Sequence, residues 1–95
     1  MSKGYWIANN QVNDVETYEL YKAANGPIFA KYGAKFVVRG GQQAPAEGTP
    51  YPRTVVIEFD NYADAIACYE SDEYQAAKAI RSPVSEGNLV IVEGI

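Results

Sequence analysis

The chain contains no histidine among its 95 residues, which removes the commonest general base, the commonest activator of a nucleophile and the commonest metal ligand. A Ser-His-Asp or Cys-His catalytic arrangement and proximal-histidine haem ligation are excluded within the chain. A zinc site would have to rest on carboxylates and the single Cys68, so neither a tightly bound metal nor another cofactor is expected. That lone cysteine can form no internal disulfide. It sits among Ala65, Ile66 and Tyr69 on an apolar helical face, as a buried, inert thiol in a reducing compartment would. Basic runs are missing too. Eight basic against twelve acidic residues give a net charge of −4, so nucleic acid and anionic membrane surfaces are poor partners. Met1-Ser2-Lys3 leads straight into a strand with no long apolar stretch behind it. Neither a signal peptide nor a membrane span is expected, and the predicted location is cytoplasmic.

What the chain does have is strand signal. Residues 5–12, 36–39, 53–59 and 89–93 carry the β-branched and aromatic enrichment of strands. In the first run Tyr5, Ile7 and Asn9 alternate with Trp6, Ala8 and Asn10, so both faces are partly apolar. The third run is the strongest, with Val55, Ile57 and Phe59 on one face and Val56 and Glu58 on the other, and it reads as a central strand. Helices lie between. Asn13 or Asp14 caps the first, with Glu16 in its opening turn. Asn25-Gly26-Pro27 predicts a kink, and Gly33 supplies the left-handed residue that stops the helix. Asp60 or Asn61 caps the second, Ser71-Asp72-Glu73 reopens it after a break, and Ser82-Pro83 ends it. Gly40-Gly41 and the three prolines of residues 42–52 make a long hairpin loop.

The order strand, helix, strand, strand, helix, strand over residues 1–95 predicts one domain of the α+β class, a ferredoxin-like βαββαβ fold. Right-handed crossovers put both helices on one face of a four-stranded antiparallel sheet. The other face then needs a lid, because at least five apolar side chains must point away from the helices, roughly Trp6, Ala8, Val56, Val90 and Val92. Exposing each large one forfeits about 1.5 to 3 kcal/mol, against a whole-domain stability of roughly 5 to 15 kcal/mol. The expected solution is a homodimer packed sheet to sheet about a twofold axis, burying on the order of 800 Å² from each partner.

A resemblance runs along the same residues. Gly4-Tyr5-Trp6-Ile7-Ala8, Lys31-Tyr32-Gly33, Val38-Arg39-Gly40-Gly41, Val56-Ile57-Glu58-Phe59, Ser71-Asp72-Glu73-Tyr74-Gln75 and Val92-Glu93-Gly94 resemble, in order and across essentially the whole chain, the domain of unknown function 1330 family. Asn25-Gly26 departs from that family's usual alanine-rich reading. The resemblance implies a dimeric α+β barrel, the architecture of antibiotic-biosynthesis monooxygenases, muconolactone isomerases and stress-responsive barrel proteins, and it implies no established activity.

Chemistry-bearing candidates are few. Arg39 and Glu58 are the charged residues inside otherwise apolar strands, so each needs solvent or a partner. One reading pairs them with each other or with loop backbone. The other makes them the catalytic pair, Arg39 anchoring a small anion and Glu58 serving as acid or base. Tyr32, Tyr69 and Tyr74, at helix ends or caps among eight tyrosines, can bury a ring while the hydroxyl reaches a polar site. In the alternative reading Tyr18, Tyr21, Tyr62 and Tyr69 are ordinary helix-to-sheet packing. Trp6 with Asn9 or Asn10 lines a cavity in this scheme, and Arg81 covers its mouth.

Two functions fit. One is an enzyme working without metal on a small aromatic or carboxylate-bearing molecule, with Arg39 orienting, Glu58 as acid or base, and Tyr32 or Tyr69 donating hydrogen bonds. The other is a module that binds a metabolite or a protein without turnover. An open pocket around Arg39 and Glu58 favours the first, and a filled interior favours the second.

Overall fold

Strands β1 (Gly4–Val12), β2 (Lys35–Arg39), β3 (Arg53–Phe59) and β4 (Ser85–Glu93) form a four-stranded antiparallel sheet in the order β2-β3-β1-β4. The computed structural model of the protein describes residues 2–95. Helices α1 (Val15–Lys31), α2 (Tyr62–Glu70) and α3 (Asp72–Arg81) pack on one face, and a short 3-10 turn, Ser82–Val84, leads into β4. The fold is ferredoxin-like α+β. None of the helices among the described residues is long and apolar enough to cross a membrane.

Pairing decides which side chains face the helices. Trp6 lies opposite Ile57 and Ile91, and Ala8 opposite Val55 and Leu89, so these residues share one face and form the core with Phe59, Phe29, Ala65 and Tyr74. The expectation that Trp6 and Ala8 point away from the helices is therefore corrected. Trp6 is 2 % exposed, and its indole N–H donates to the Ala65 carbonyl at 2.9 Å, which satisfies the one polar atom of a buried indole. The uncovered face instead carries Tyr5, Ile7, Val38, Val56, Val90 and Val92. Of these, Ile7, Val38, Val90 and Val92 are exposed large apolar residues.

A bulge separates Phe36 from Val38 in β2. Phe36 pairs with Ile57 and Arg39 with Val55, so both face the helices although they are three positions apart, whereas Val38 faces the open side with Val56. In an unbroken strand Phe36 and Arg39 would lie on opposite faces.

The helices follow their caps. The Asp14 carboxylate accepts from the Thr17 amide, Asn61 accepts from Asp64, and Ser71 accepts from Tyr74 while its hydroxyl donates to the Cys68 carbonyl at 2.7 Å. Ser71 thus closes α2 and opens α3. Helix α1 is one continuous helical segment across Pro27. Tyr18, Tyr21 and Asn25 before the proline, and Ile28 and Phe29 after it, are all buried on one helix face, and that packing outweighs the roughly 3 kcal/mol a mid-helix proline costs. Gly33, at φ +69°, then stops the helix.

Candidate functional site

Between α1, α3 and the sheet lies a pocket of about 290 Å³, at the small end of ligand-binding cavities. Tyr18, Tyr21 and Asn25 line it from α1, and Tyr74, Lys78 and Arg81 from α3. Both sets recur at three- and four-residue spacing, the period of a single helix face. Trp6, Ala8 and Asn10 of β1, Arg53, Val55 and Ile57 of β3, and the bulge-directed Arg39 close it from the sheet.

Its floor is aromatic. The Trp6 ring centroid lies 4.8 Å from Tyr74, 5.3 Å from Phe29 and 5.7 Å from Tyr69, in the edge-to-face arrangements that aromatic quadrupoles favour.

Two hydroxyl clusters sit on that floor. The Tyr21 and Tyr74 hydroxyls are 2.8 Å apart, and Nε and Nη2 of Arg81 each approach the Tyr74 oxygen at 3.4 Å. Either hydroxyl of that pair can be the donor; when Tyr74, whose oxygen accepts from Arg81, donates to Tyr21, the Tyr21 proton is left for another acceptor. Burial raises the Tyr74 phenol above its ordinary pKa, and Tyr21 beside it adds to the rise, so Tyr74 stays a neutral donor. In the second cluster the Tyr18 oxygen accepts from Arg53 Nη1 at 3.1 Å and from Asn10 Nδ2 at 3.3 Å, so its proton is likewise free to donate. Asn10 Oδ1 is buried with no hydrogen-bond partner among the described residues, an acceptor in want of a donor.

The charge of the lining inverts that of the chain. Five of the eight basic residues (Lys22, Arg39, Arg53, Lys78 and Arg81) line the pocket, against one of the twelve acids, Glu86. Lys22 pairs with Glu19 at 3.1 Å. Among the described residues, no carboxylate lies within 4.0 Å of the other four. Each of those cations sits over an aromatic ring instead: Arg39 over Phe36 at 4.2 Å, Arg53 over Tyr18 at 5.4 Å, Lys78 over Tyr69 at 5.5 Å and Arg81 over Tyr21 at 5.6 Å. Ring faces hold a cation in place but leave its charge uncompensated. Such a lining can orient an anion by charge-assisted hydrogen bonds while stacking a flat apolar body.

The profile of a family described as Domain of unknown function (DUF1330) matches residues 3–95. The chain belongs to that family. No curated protein matches it. Among solved structures, a protein of unknown function from Rhodopseudomonas palustris is 16% identical, with a TM-score of 0.78 over 99% of this chain and 83% of that one. A dimeric ferredoxin-like protein of unknown function from Thermobifida fusca is 20% identical, with a TM-score of 0.62 over 99% of this chain and 92% of that one. SnoaB, a cofactor-independent oxygenase from Streptomyces nogalater, is 9% identical, with a TM-score of 0.65 over 97% of this chain and 92% of that one. At such identities the likeness shows the fold.

In this DUF1330 chain the residues singled out in the sequence divide by sheet face. Trp6, Arg39, Tyr69, Tyr74 and Arg81 meet in the pocket. Glu58 does not. It pairs with Tyr5 and Lys35 on the uncovered face, accepts from the Tyr5 hydroxyl at 3.1 Å and lies 3.6 Å from Lys3 Nζ. With the sheet between them, Arg39 and Glu58 neither pair nor share a ligand within one subunit. Asn9 is also on the uncovered face, bonded to Tyr51, Arg53 and Thr54, and it ties the hairpin loop to β1 while Asn10 takes the place in the pocket. Tyr32 caps α1 outside the pocket, and residues 40–52 contribute nothing to the lining.

Lys78 and Arg53 do not stand out in the sequence, and Tyr18 and Tyr21 read there as packing, though each carries a signal. Lys78 stands four residues after Tyr74 on one helix face, and Arg53 has the strand parity of Val55 and Ile57.

Proposed function

We propose that the protein is a cytosolic homodimer, joined through the uncovered sheet face, in which each subunit uses its pocket to bind a small aromatic or carboxylate-bearing molecule. The observation that carries the ligand reading is the set of four cations over aromatic rings with no carboxylate partner among the described residues. In a chain of net charge −4, so basic a concavity favours an anion. Arg39 and Arg81 anchor it, Tyr18 and Tyr21 donate to it, and Asn10 Oδ1 accepts from a hydroxyl or amine on it. Support for the dimer comes from the exposed apolar strip of Ile7, Val38, Val90 and Val92, which a second copy packed on that face would cover.

Thermal unfolding in the presence of small aromatic acids tests the ligand reading. A ligand at a hundred times its Kd stabilises by about 2.7 kcal/mol, which for a chain of this size raises Tm by roughly 10 °C or more. The rise should shrink in Arg39→Gln. If no aromatic acid raises Tm at millimolar concentration, the reading fails.

Turnover is a second reading, favoured by the Tyr21–Tyr74–Arg81 arrangement, which holds two hydroxyls beside a guanidinium where an oxyanion could form. A bound acid recovered chemically unchanged after long incubation in air counts against it.

A further inference from the structure

The four cations without a carboxylate partner fall into two pairs by their positions on the strands and on α3. Arg39 of β2 lies opposite Val55 of β3, and Arg53 is two residues from Val55 on β3, so the two arginines are diagonal neighbours on the helix-facing side, about 7–8 Å apart in regular sheets with their Cβ atoms somewhat closer. Lys78 and Arg81 are three residues apart on α3, neighbours on one helix face at roughly 5–6 Å. Like charges so placed repel unless an anion comes between them, and neither pair has a carboxylate within 4.0 Å among the described residues.

Rings separate the pairs. Arg53 stacks on Tyr18, Tyr18 lies 5.2 Å from Tyr21, and Arg81 stacks on Tyr21. The arrangement is cation pair, two mutually tilted rings, cation pair. A cavity of about 290 Å³ holds a molecule of one or two rings and little more.

We infer that the pocket takes a compact, ring-bearing molecule with two acidic groups, one seated between Arg39 and Arg53 and the other between Lys78 and Arg81, its ring lying against Tyr18 and Tyr21. The inference rests on the ligand reading above and narrows its substrate class to dianions with separated charges. A monocarboxylate satisfies one pair and leaves the other repelling itself. A phosphate monoester places both charges in one pair and leaves the second empty.

Isothermal titration of the full chain at neutral pH and low ionic strength, with benzoate, phenyl phosphate and the three benzenedicarboxylates, tests this. At least one dicarboxylate should bind tenfold or more tighter than both benzoate and phenyl phosphate. That advantage should vanish in Arg39→Gln/Arg53→Gln and, independently, in Lys78→Gln/Arg81→Gln, with circular dichroism confirming the fold of each. The comparison of ligands on the unaltered protein stands even if a double variant fails to fold. Benzoate binding as tightly as every dicarboxylate overturns the two-charge proposal and leaves the aromatic-acid reading intact. Phenyl phosphate binding tightest overturns it in favour of one doubly charged group. No heat from any of the probes overturns both.

Discussion

Removing one oxygen from Tyr74 is the sharpest test of the pocket floor. Tyr74 is 1 % exposed, and its ring packs 4.8 Å from Trp6 and 5.5 Å from Tyr69. Tyr74→Phe keeps that packing and deletes only the hydroxyl that Arg81 and Tyr21 share. The lost bond is worth about 1 kcal/mol, and a buried Tyr21 hydroxyl left without a partner costs about 1–3 kcal/mol. Arg81 reaches partial solvent and adds little. The expected destabilisation is therefore about 2–4 kcal/mol, read as a fall of roughly 1–3 M in the urea midpoint with an unchanged m-value. Tyr21→Phe cuts the same bond from the other side, so the double variant should cost about 1 kcal/mol less than the two single losses together. A Tyr74→Phe protein within 0.5 kcal/mol of the parent, or strictly additive losses, refutes the shared-hydroxyl account.

Other consequences can be checked as simply. Cys68 is 0 % exposed and burial raises its thiol from 9.0 to about 12. The unfolded thiol ionises first as pH rises, so Cys68 lowers stability by up to about 1.4 kcal/mol per pH unit between pH 9 and 12. Urea unfolding at pH 8 and pH 10 should show a steeper loss in the parent than in Cys68→Ala, and equal slopes count against a buried thiol. In Gly4→Ala the new Cβ would stand 2.7 Å from both the Asn61 carbonyl oxygen and the Tyr62 Cα; backbone cannot swing aside, so a loss of about 1–3 kcal/mol is expected in thermal unfolding, and an unaltered Tm contradicts it. Val90 is 55 % exposed on the uncovered face, part-way along the edge strand β4, and Val90→Glu should halve the mass seen by sedimentation without altering circular dichroism. A mass equal in both proteins places the interface elsewhere or removes it.

The order of elements and the faces of β3 could be read from the chain because β3 alternates cleanly, with Val55, Ile57 and Phe59 against Val56 and Glu58. The orientation of β1 could not. Tyr5 and Ile7 are as apolar as Trp6 and Ala8, so alternation alone has two solutions, and only pairing of Trp6 with Ile57 selects one. The placement of Arg39 was hidden for a different reason. One extra residue in β2 reverses the parity after Phe36, and a bulge leaves no mark in a run of valines. Glu58 was legible, since it shares the parity of Val56, but it was joined to Arg39 on charge alone. The cation-rich lining was obscured by distance in sequence: Arg39 and Arg53 are separated by the long hairpin loop, and Lys78 and Arg81 lie beyond β3 and α2. Tertiary contact brings them together while the net charge of −4 points the other way.

Trp6 is the chain's single tryptophan, it is 2 % exposed, and it lines the pocket. Optically the protein is therefore simple. Its indole emission comes from one site, blue-shifted by burial, with no second chromophore of that kind to dilute the signal. Any occupant that settles against the floor changes the surroundings of that indole, so occupancy can be followed by emission from the unlabelled, unaltered chain. The same packing that makes Trp6 the centre of the core makes it the molecule's own indicator.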